Sequence, residues 1–178
     1  MKRYLFIIAV VCSLIFSFNI MSEEFKHKDA GIKMSVPKGW KVKTDEDDLE
    51  ITSPDDLVMM FFSVIEPKDI DAAVKELDKE LGKLMKKVQS GKIKESKVNG
   101  MKLYELEGSG YIEGLKVDWG IYIVNAKKPV FIISIFLPGW KKWGKTLDAF
   151  GESIKPLGSI KNTGKTKIPL PPPIKLVD

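Results

Sequence analysis

The chain has 178 residues, 29 basic against 24 acidic side chains and a net charge of +5, which suits one domain with a single ordinary core. It holds one cysteine, Cys12, so no disulfide can form within it. Its one arginine, Arg3, leaves it without the side chain best fitted to bidentate phosphate and guanine contacts, which speaks against nucleic-acid binding.

Met1, Lys2 and Arg3 precede an apolar run over residues 4–18, the build of a secretory signal peptide. Cleavage is expected after Ser22, giving a signal peptide over 1–22 and a mature start at Glu23-Glu24. The alternative is a retained anchor, because residues 4–21 are long enough to cross a bilayer. Cys12 lies inside the apolar run, after Val10-Val11, and reads as an apolar residue, not as a lipid-attachment site. Removing the leader takes away Cys12 and Arg3 and lowers the net charge to +3. An exported protein is expected, periplasmic or secreted, or anchored by an uncleaved N-terminal segment.

Residues 23–30, with the sole histidine His27, read as a flexible lead to the folded domain. Then "GIKMSVP" alternates Ile32, Met34 and Val36 with polar neighbours, a half-buried strand, and Pro37-Lys38-Gly39 turns into a second strand from Trp40. "LEITS" is a third, and "DLVMMFFSVIE" is apolar enough for burial on both faces. From Asp69 the period changes. Ile70, Val74, Leu77, Leu81, Leu84 and Val88 keep helical spacing, so an amphipathic helix is expected, capped by Asp69 and stopped at Gly91. Lys83, Lys86 and Lys87 would complement the dipole at its end.

Four strands follow: "IKESKV", "MKLYELEGSGYIEG", "LKVDWGIYIVNA" and "PVFIISIFL". Asn99-Gly100 is the dipeptide of a type I′ hairpin, Gly108 and Gly110 soften or turn the second strand, and 125–129 make another hairpin. A last helix places Trp143, Leu147, Phe150 and Ile154 on one stripe. The expectation is one α+β domain over 31–158 in the order ββββ-α-ββββ-α, with a mainly antiparallel sheet and packed helices. Residues 159–178, with "IPLPPPI", read as a flexible Pro-rich tail favouring polyproline II.

"GIKMSVPKGWKV", the "VNGMKLYELEGSG" hairpin and the closing "GESIKPL", taken with the order of elements, resemble the PsbP-like family, whose fold is shared with the Mog-type Ran-binding proteins. The resemblance covers residues 31–157. It implies an α/β/α sandwich and an accessory or partner-binding role without catalysis, in an exported bacterial member. Fold analogy does not transfer a ligand. The Pro-rich tail departs from the family pattern, and a photosynthetic role has no support in these residues.

Candidate sites are few. His27 in the lead cannot serve a Ser-His triad in the folded domain. "GSGYIEG" lies between strands and lacks the helix that a phosphate cradle requires. Asp45, Glu46, Asp47, Asp48 and Glu50 could collect a hard cation, but they read better as a solvated hairpin turn, and Asp118 reads as an outward strand residue. No catalytic, metal or cofactor residue is assigned. The candidate partner contact is Trp140, Lys141, Lys142 and Trp143 in "PGWKKWG", with Pro171, Pro172 and Pro173 in the tail. The alternative places Trp143 in the helix core stripe and Trp140 over the sheet edge. The expected function is an exported, non-enzymatic binding or accessory domain whose partner is another envelope protein or complex. The alternatives are a carboxylate- or metal-dependent enzyme and a Lys-rich protein contacting the envelope surface. Membrane contact would come only from an uncleaved leader or weak lysine attraction.

Overall fold

Alternating apolar residues build two antiparallel sheets. A computed structural model describes residues 21–45, 48–66, 79 and 81–158. Its strands are β1 (Met21–His27), β2 (Ile32–Pro37), β3 (Lys41–Asp45), β4 (Asp48–Thr52), β5 (Val58–Val64), β6 (Lys86–Ser90), β7 (Lys94–Val98), β8 (Met101–Ile112), β9 (Leu115–Asn125), β10 (Pro129–Phe136) and β11 (Lys155–Pro156). A 3-10 turn over Trp140–Trp143 leads into helix α1 (Gly144–Ser153). The large sheet runs β3-β4-β5-β10-β9-β8-β6, with β7 also pairing to β8, and the small one runs β1-β2-β11. The α+β class holds.

β10 is central and buried along nearly its whole length, as its unbroken apolar run requires. In-register neighbours share a face, so Glu105, Tyr122, Ile132, Phe62 and Leu49 form one row across β8, β9, β10, β5 and β4. On that face Ile132 and Phe62 pack with Ile32, Met34 and Val36 of β2 and with Phe150 and Ile154 at the C-terminal end of α1. The opposite face carries a second core, in which Trp119, Ile121 and Ile123 pack with Leu81 and Met85.

The element order differs from ββββ-α-ββββ-α at three places. The expected flexible lead of 23–30 instead contains β1, paired to β2 from Met21↔Pro37 to His27↔Ile32. Phe25 packs against the core, while Glu24 bridges Lys26 at 2.9 Å and Lys33 at 2.8 Å. His27 is no solvated linker residue, since its Nδ1 accepts from the Ala30 amide at 3.1 Å and closes the β1–β2 turn. Second, the helix expected to run to Gly91 stops earlier. Residues 81–84 are helical, but Lys86–Ser90 form β6, hydrogen-bonded to β8. Leu84 is 50% exposed and Val88 lies in the strand, so neither belongs to a buried helical stripe. Backbone pairing to the open edge of β8 outweighs the helical spacing, and Lys87, with φ of 51°, falls within the register shift of that pairing. Third, β11 pairs with β2 through Lys155↔Lys33 and Pro156↔Ile32. Residues 1–20 of the expected leader, the Asp69 cap, Ile70, Val74, Leu77, Glu46, Asp47 and the 159–178 tail lie outside the described residues, while Met21 and Ser22, the last two residues of that leader, are in β1.

The hairpin expectations hold at Asn99-Gly100, where φ is 46° and 83°, and between Asn125 and Pro129. Gly108 and Gly110 do not turn the chain, because β8 is continuous through both. A Cβ at Gly108 would collide with the Trp119 ring and the Gln89 carbonyl. Glycine is needed there for close approach.

Candidate functional site

A cleft of about 830 Å³ opens between α1 and the sheet face made by β7, β8, β9 and β10. Val98, Leu103, Val124, Ile132, Leu147 and Phe150 give it apolar walls. Glu105, Glu107, Asp118, Asp148 and Glu152 also line it, against a single lysine, Lys97. In a chain of net positive charge this is a locally acidic, apolar hollow, within the usual size range of a small-molecule site.

The strands place these groups by simple alternation. Glu105 and Glu107 are two apart on β8 and share a face; β9 sets Tyr122 opposite Glu105 and Gly120 opposite Glu107. The Tyr122 ring lies across Gly120, where a Cβ would meet it. Its phenol donates to Glu107 Oε1 at 3.2 Å. Burial pushes the Tyr122 phenol well above its ordinary value, and the Glu107 carboxylate adds to the shift. Ser96 donates to Glu105 at 2.6 Å, and Lys94 stands 3.5 Å from Glu107.

Asp118, expected to face outward, lines the cleft and is partly buried. Its Oδ2 accepts from Trp140 Nε1 at 2.8 Å, and Trp140 rests on Phe136 with ring centroids 4.7 Å apart. Trp143 takes the other direction. Its Nε1 donates to Asp55 at 3.1 Å, and it meets Trp40 edge-on at 5.5 Å. Lys142 bridges Asp55 at 2.6 Å. That hydrogen bond holds the Asp55 carboxyl well below the usual carboxylate range, with Ser53 and Trp143 adding to the effect.

Of the candidate contact residues, Trp140 and Trp143 are half-buried against the core, and each N–H is committed to a carboxylate. The indoles do not project outward as a shared platform. Lys141 and Lys142 are exposed. Pro171, Pro172 and Pro173 lie outside the described residues. Asp118 and the Asp45–Asp48 end of β3–β4 are not brought together, since β10 and β5 lie between β9 and β4. Asp118 aligns with Phe136 and Val58, and Asp48 with Asp45 beyond the Leu49↔Phe62 row, so they also sit toward opposite ends of the strands. Among the described residues, no group of three His, Cys, Asp or Glu side chains is placed to hold a metal ion.

Sequence reasoning misses Tyr122, Glu105, Glu107, Asp148 and Glu152. A signal for the first three exists: alternation in "YELEG" and "DWGIY", once Glu113-Gly114 is taken as the β8–β9 turn. The two helix carboxylates carry no such signal, because only the docking of α1 turns them toward the sheet.

No family model and no curated protein matches the chain. Solved structures do. A Bacteroides thetaiotaomicron protein superposes with a TM-score of 0.53 at 11% identity, over 76% of this chain, which spans only 48% of that protein. The cyanobacterial PsbP, CyanoP, of Synechocystis superposes with a TM-score of 0.52 at 10% identity, over 76% of this chain and 92% of its own. A protein of unknown function from Pseudomonas aeruginosa gives 0.48 at 11% identity, over 77% and 98%. At these identities the likeness is one of fold. The chain has the PsbP-like fold.

Proposed function

We propose that this PsbP-like domain is a non-enzymatic binding or accessory protein of the cell envelope, and that it binds through the cleft between α1 and the large sheet. The observation that carries this reading is the pairing of apolar walls with a rim of five carboxylates against one lysine. Such a site favours an apolar segment that also carries a cation, as in a partner protein's aliphatic side chains beside a lysine or arginine. The polar groups are arranged for support. Asp118 holds Trp140, Glu107 takes the Tyr122 hydroxyl and Glu105 takes the Ser96 hydroxyl. The sole histidine is engaged in the β1–β2 turn, away from these carboxylates. Export rests on the apolar leader that follows Lys2 and Arg3.

Affinity capture from envelope extracts tests the reading with three forms of the chain: wild type, Leu147→Glu with Asp148→Lys, and a form ending at Gly158. The wild type and the shortened chain are expected to recover the same partner, and the cleft variant to lose it. Undiminished recovery by the cleft variant would remove the cleft as the binding site. Loss on removing 159–178 alone would move docking to the tail.

A further inference from the structure

The β8–β9 hairpin does not stop where the rest of the sheet stops. β10 ends at Phe136, opposite Asp118, and three further β8–β9 pairs run past it: Gly110↔Val117, Tyr111↔Lys116 and Ile112↔Leu115. The turn is a tight two-residue one, Glu113 and Gly114 both having positive φ. On this overhang Tyr111 is 38% and Leu115 47% exposed, and Leu84, two residues before the Lys86 that pairs with Tyr111, is 50% exposed. These are three of the six large apolar side chains that the described residues leave exposed. They cluster at the hairpin tip, Tyr111 on the face it shares with Lys116 and Leu115 on the opposite face with Ile112, so the tip presents apolar surface on both sides.

Lysines surround them. Lys86 stands opposite Tyr111 on one side and Lys116 on the other, and Lys87 Nζ lies 5.9 Å from the Tyr111 ring centroid. All three lysines are exposed, and Glu113 is the only carboxylate in the turn itself. We propose that this hairpin tip, with Leu84 beside it, docks the domain on an anionic lipid bilayer. Tyr111 and Leu115 would enter the headgroup boundary, where an aromatic ring with a polar end is at home, while the lysines meet the phosphates.

The path of the chain supports the same orientation. The Lys127 amide donates to the Ala30 carbonyl, so the β1–β2 turn lies at the β9–β10 hairpin end of the molecule. β1 begins at the opposite end, where Met21 pairs with Pro37. Trp40, just beyond, meets Trp143, which reaches Asp55 in the β4–β5 turn. That is the end from which the β8–β9 tip projects. β1 therefore begins on the side that would face the bilayer.

Vesicle co-sedimentation of the chain from Met21 to Asp178, which carries every described strand and both cores, tests the proposal without the apolar leader. The probes are phosphatidylcholine vesicles with and without phosphatidylglycerol. The wild type is expected to bind the mixed vesicles at low salt and to leave the neutral ones in solution. Tyr111→Ser with Leu115→Ser should lower the bound fraction about tenfold. Lys86→Glu, Lys87→Glu and Lys116→Glu together should abolish binding, while Lys41→Glu with Lys43→Glu on edge strand β3 should leave it unchanged. Thermal melting checks that each exposed-site variant is folded. Equal binding to both vesicle types, undiminished binding by the Tyr111/Leu115 variant, or an equal loss in the β3 control would each overturn the proposal.

Discussion

Trp140 and Asp118 are joined by a 2.8 Å hydrogen bond that fastens the 3-10 turn before α1 to the strand beneath it. The contact crosses 22 residues of sequence and sits at one end of the cleft, so it sets how closely the helix approaches the sheet. The Trp140 ring covers Phe136 in the same arrangement, and the bond therefore fixes an apolar lid as well as a polar pair.

Asp118→Ala is expected to cost about 1–3 kcal/mol, because it removes a charged acceptor from a half-buried indole N–H. Trp140→Phe should lose the same bond, so the double variant should cost less than the two single costs added together. Urea denaturation of the four proteins measures the coupling. Strict additivity would show that the bond contributes nothing.

Gly108→Ala should destabilise the fold by about 1–3 kcal/mol, since the new methyl would press on the Trp119 ring and on the backbone of β6. Gly151→Ala is the contrasting case. Gly151 lies in α1 and a Cβ there meets nothing within 4 Å, so a gain of about 0.5–1 kcal/mol is expected. Melting temperatures that move in the same direction for both would contradict the close approach described for β8.

Asn99 does two things at once. Its positive φ makes the β7–β8 turn, and its Nδ2 donates at 2.8 Å to the carbonyls of both Glu152 and Ile154 at the end of α1. Asn99→Asp keeps the turn preference but replaces both donors with acceptors facing carbonyls. It should cost about 2 kcal/mol, and Asn99→Gly, which keeps the turn and loses only the bonds, about 1 kcal/mol. Amide hydrogen exchange is the sharper probe: protection should fall at the end of α1 and stay unchanged in β3–β5.

The raised Tyr122 phenol gives the fold a signature at high pH. Its neutral form is favoured in the folded state, so its contribution is complete below the unfolded value of about 10 and is lost as pH rises through the higher folded one. Between about pH 9 and 11 the wild type should lose stability faster than Tyr122→Phe, by up to about 1.4 kcal/mol per pH unit once above the unfolded value. Parallel stability curves for the two proteins would show that Tyr122 titrates as it does in the unfolded chain.

Period-two alternation, with the unbroken apolar runs of β5 and β10, makes eight of the eleven described strands readable from the order of residues alone, and Asn99-Gly100 announces its hairpin. The other three strands escape for different physical reasons. β1 carries Phe25, packed on the core, among charged residues, and only the partner strand supplies Lys33 to Glu24. β6 sits in a stretch whose leucine and valine spacing is helical, and only the free edge of β8 makes it a strand. β11 is two residues long, too short to show any period. The tryptophans in "PGWKKWG" stand out in the sequence, but the carboxylates that turn them inward, Asp118 and Asp55, come from distant strands and turns. The cleft is illegible for the same reason. Its walls come from a helix and four strands that meet only in the folded chain.

The small sheet has a consequence for when folding can finish. β2 is completed by β11, and the Ser35 amide is held by the Ser153 hydroxyl at 3.0 Å across 118 residues. A chain that leaves the ribosome or a translocation channel from its N-terminus therefore delivers Ile32, Met34 and Val36 long before their last covering elements arrive. Until residue 156 emerges, the apolar face of β2 is unfinished and open to any chaperone that reads exposed aliphatic strands. Closure over so long a separation also makes the last step slow relative to the local hairpins. The fold is thus latched from its far end, and a stop codon a few residues before Lys155 would leave not a slightly shorter protein but one held open on one side.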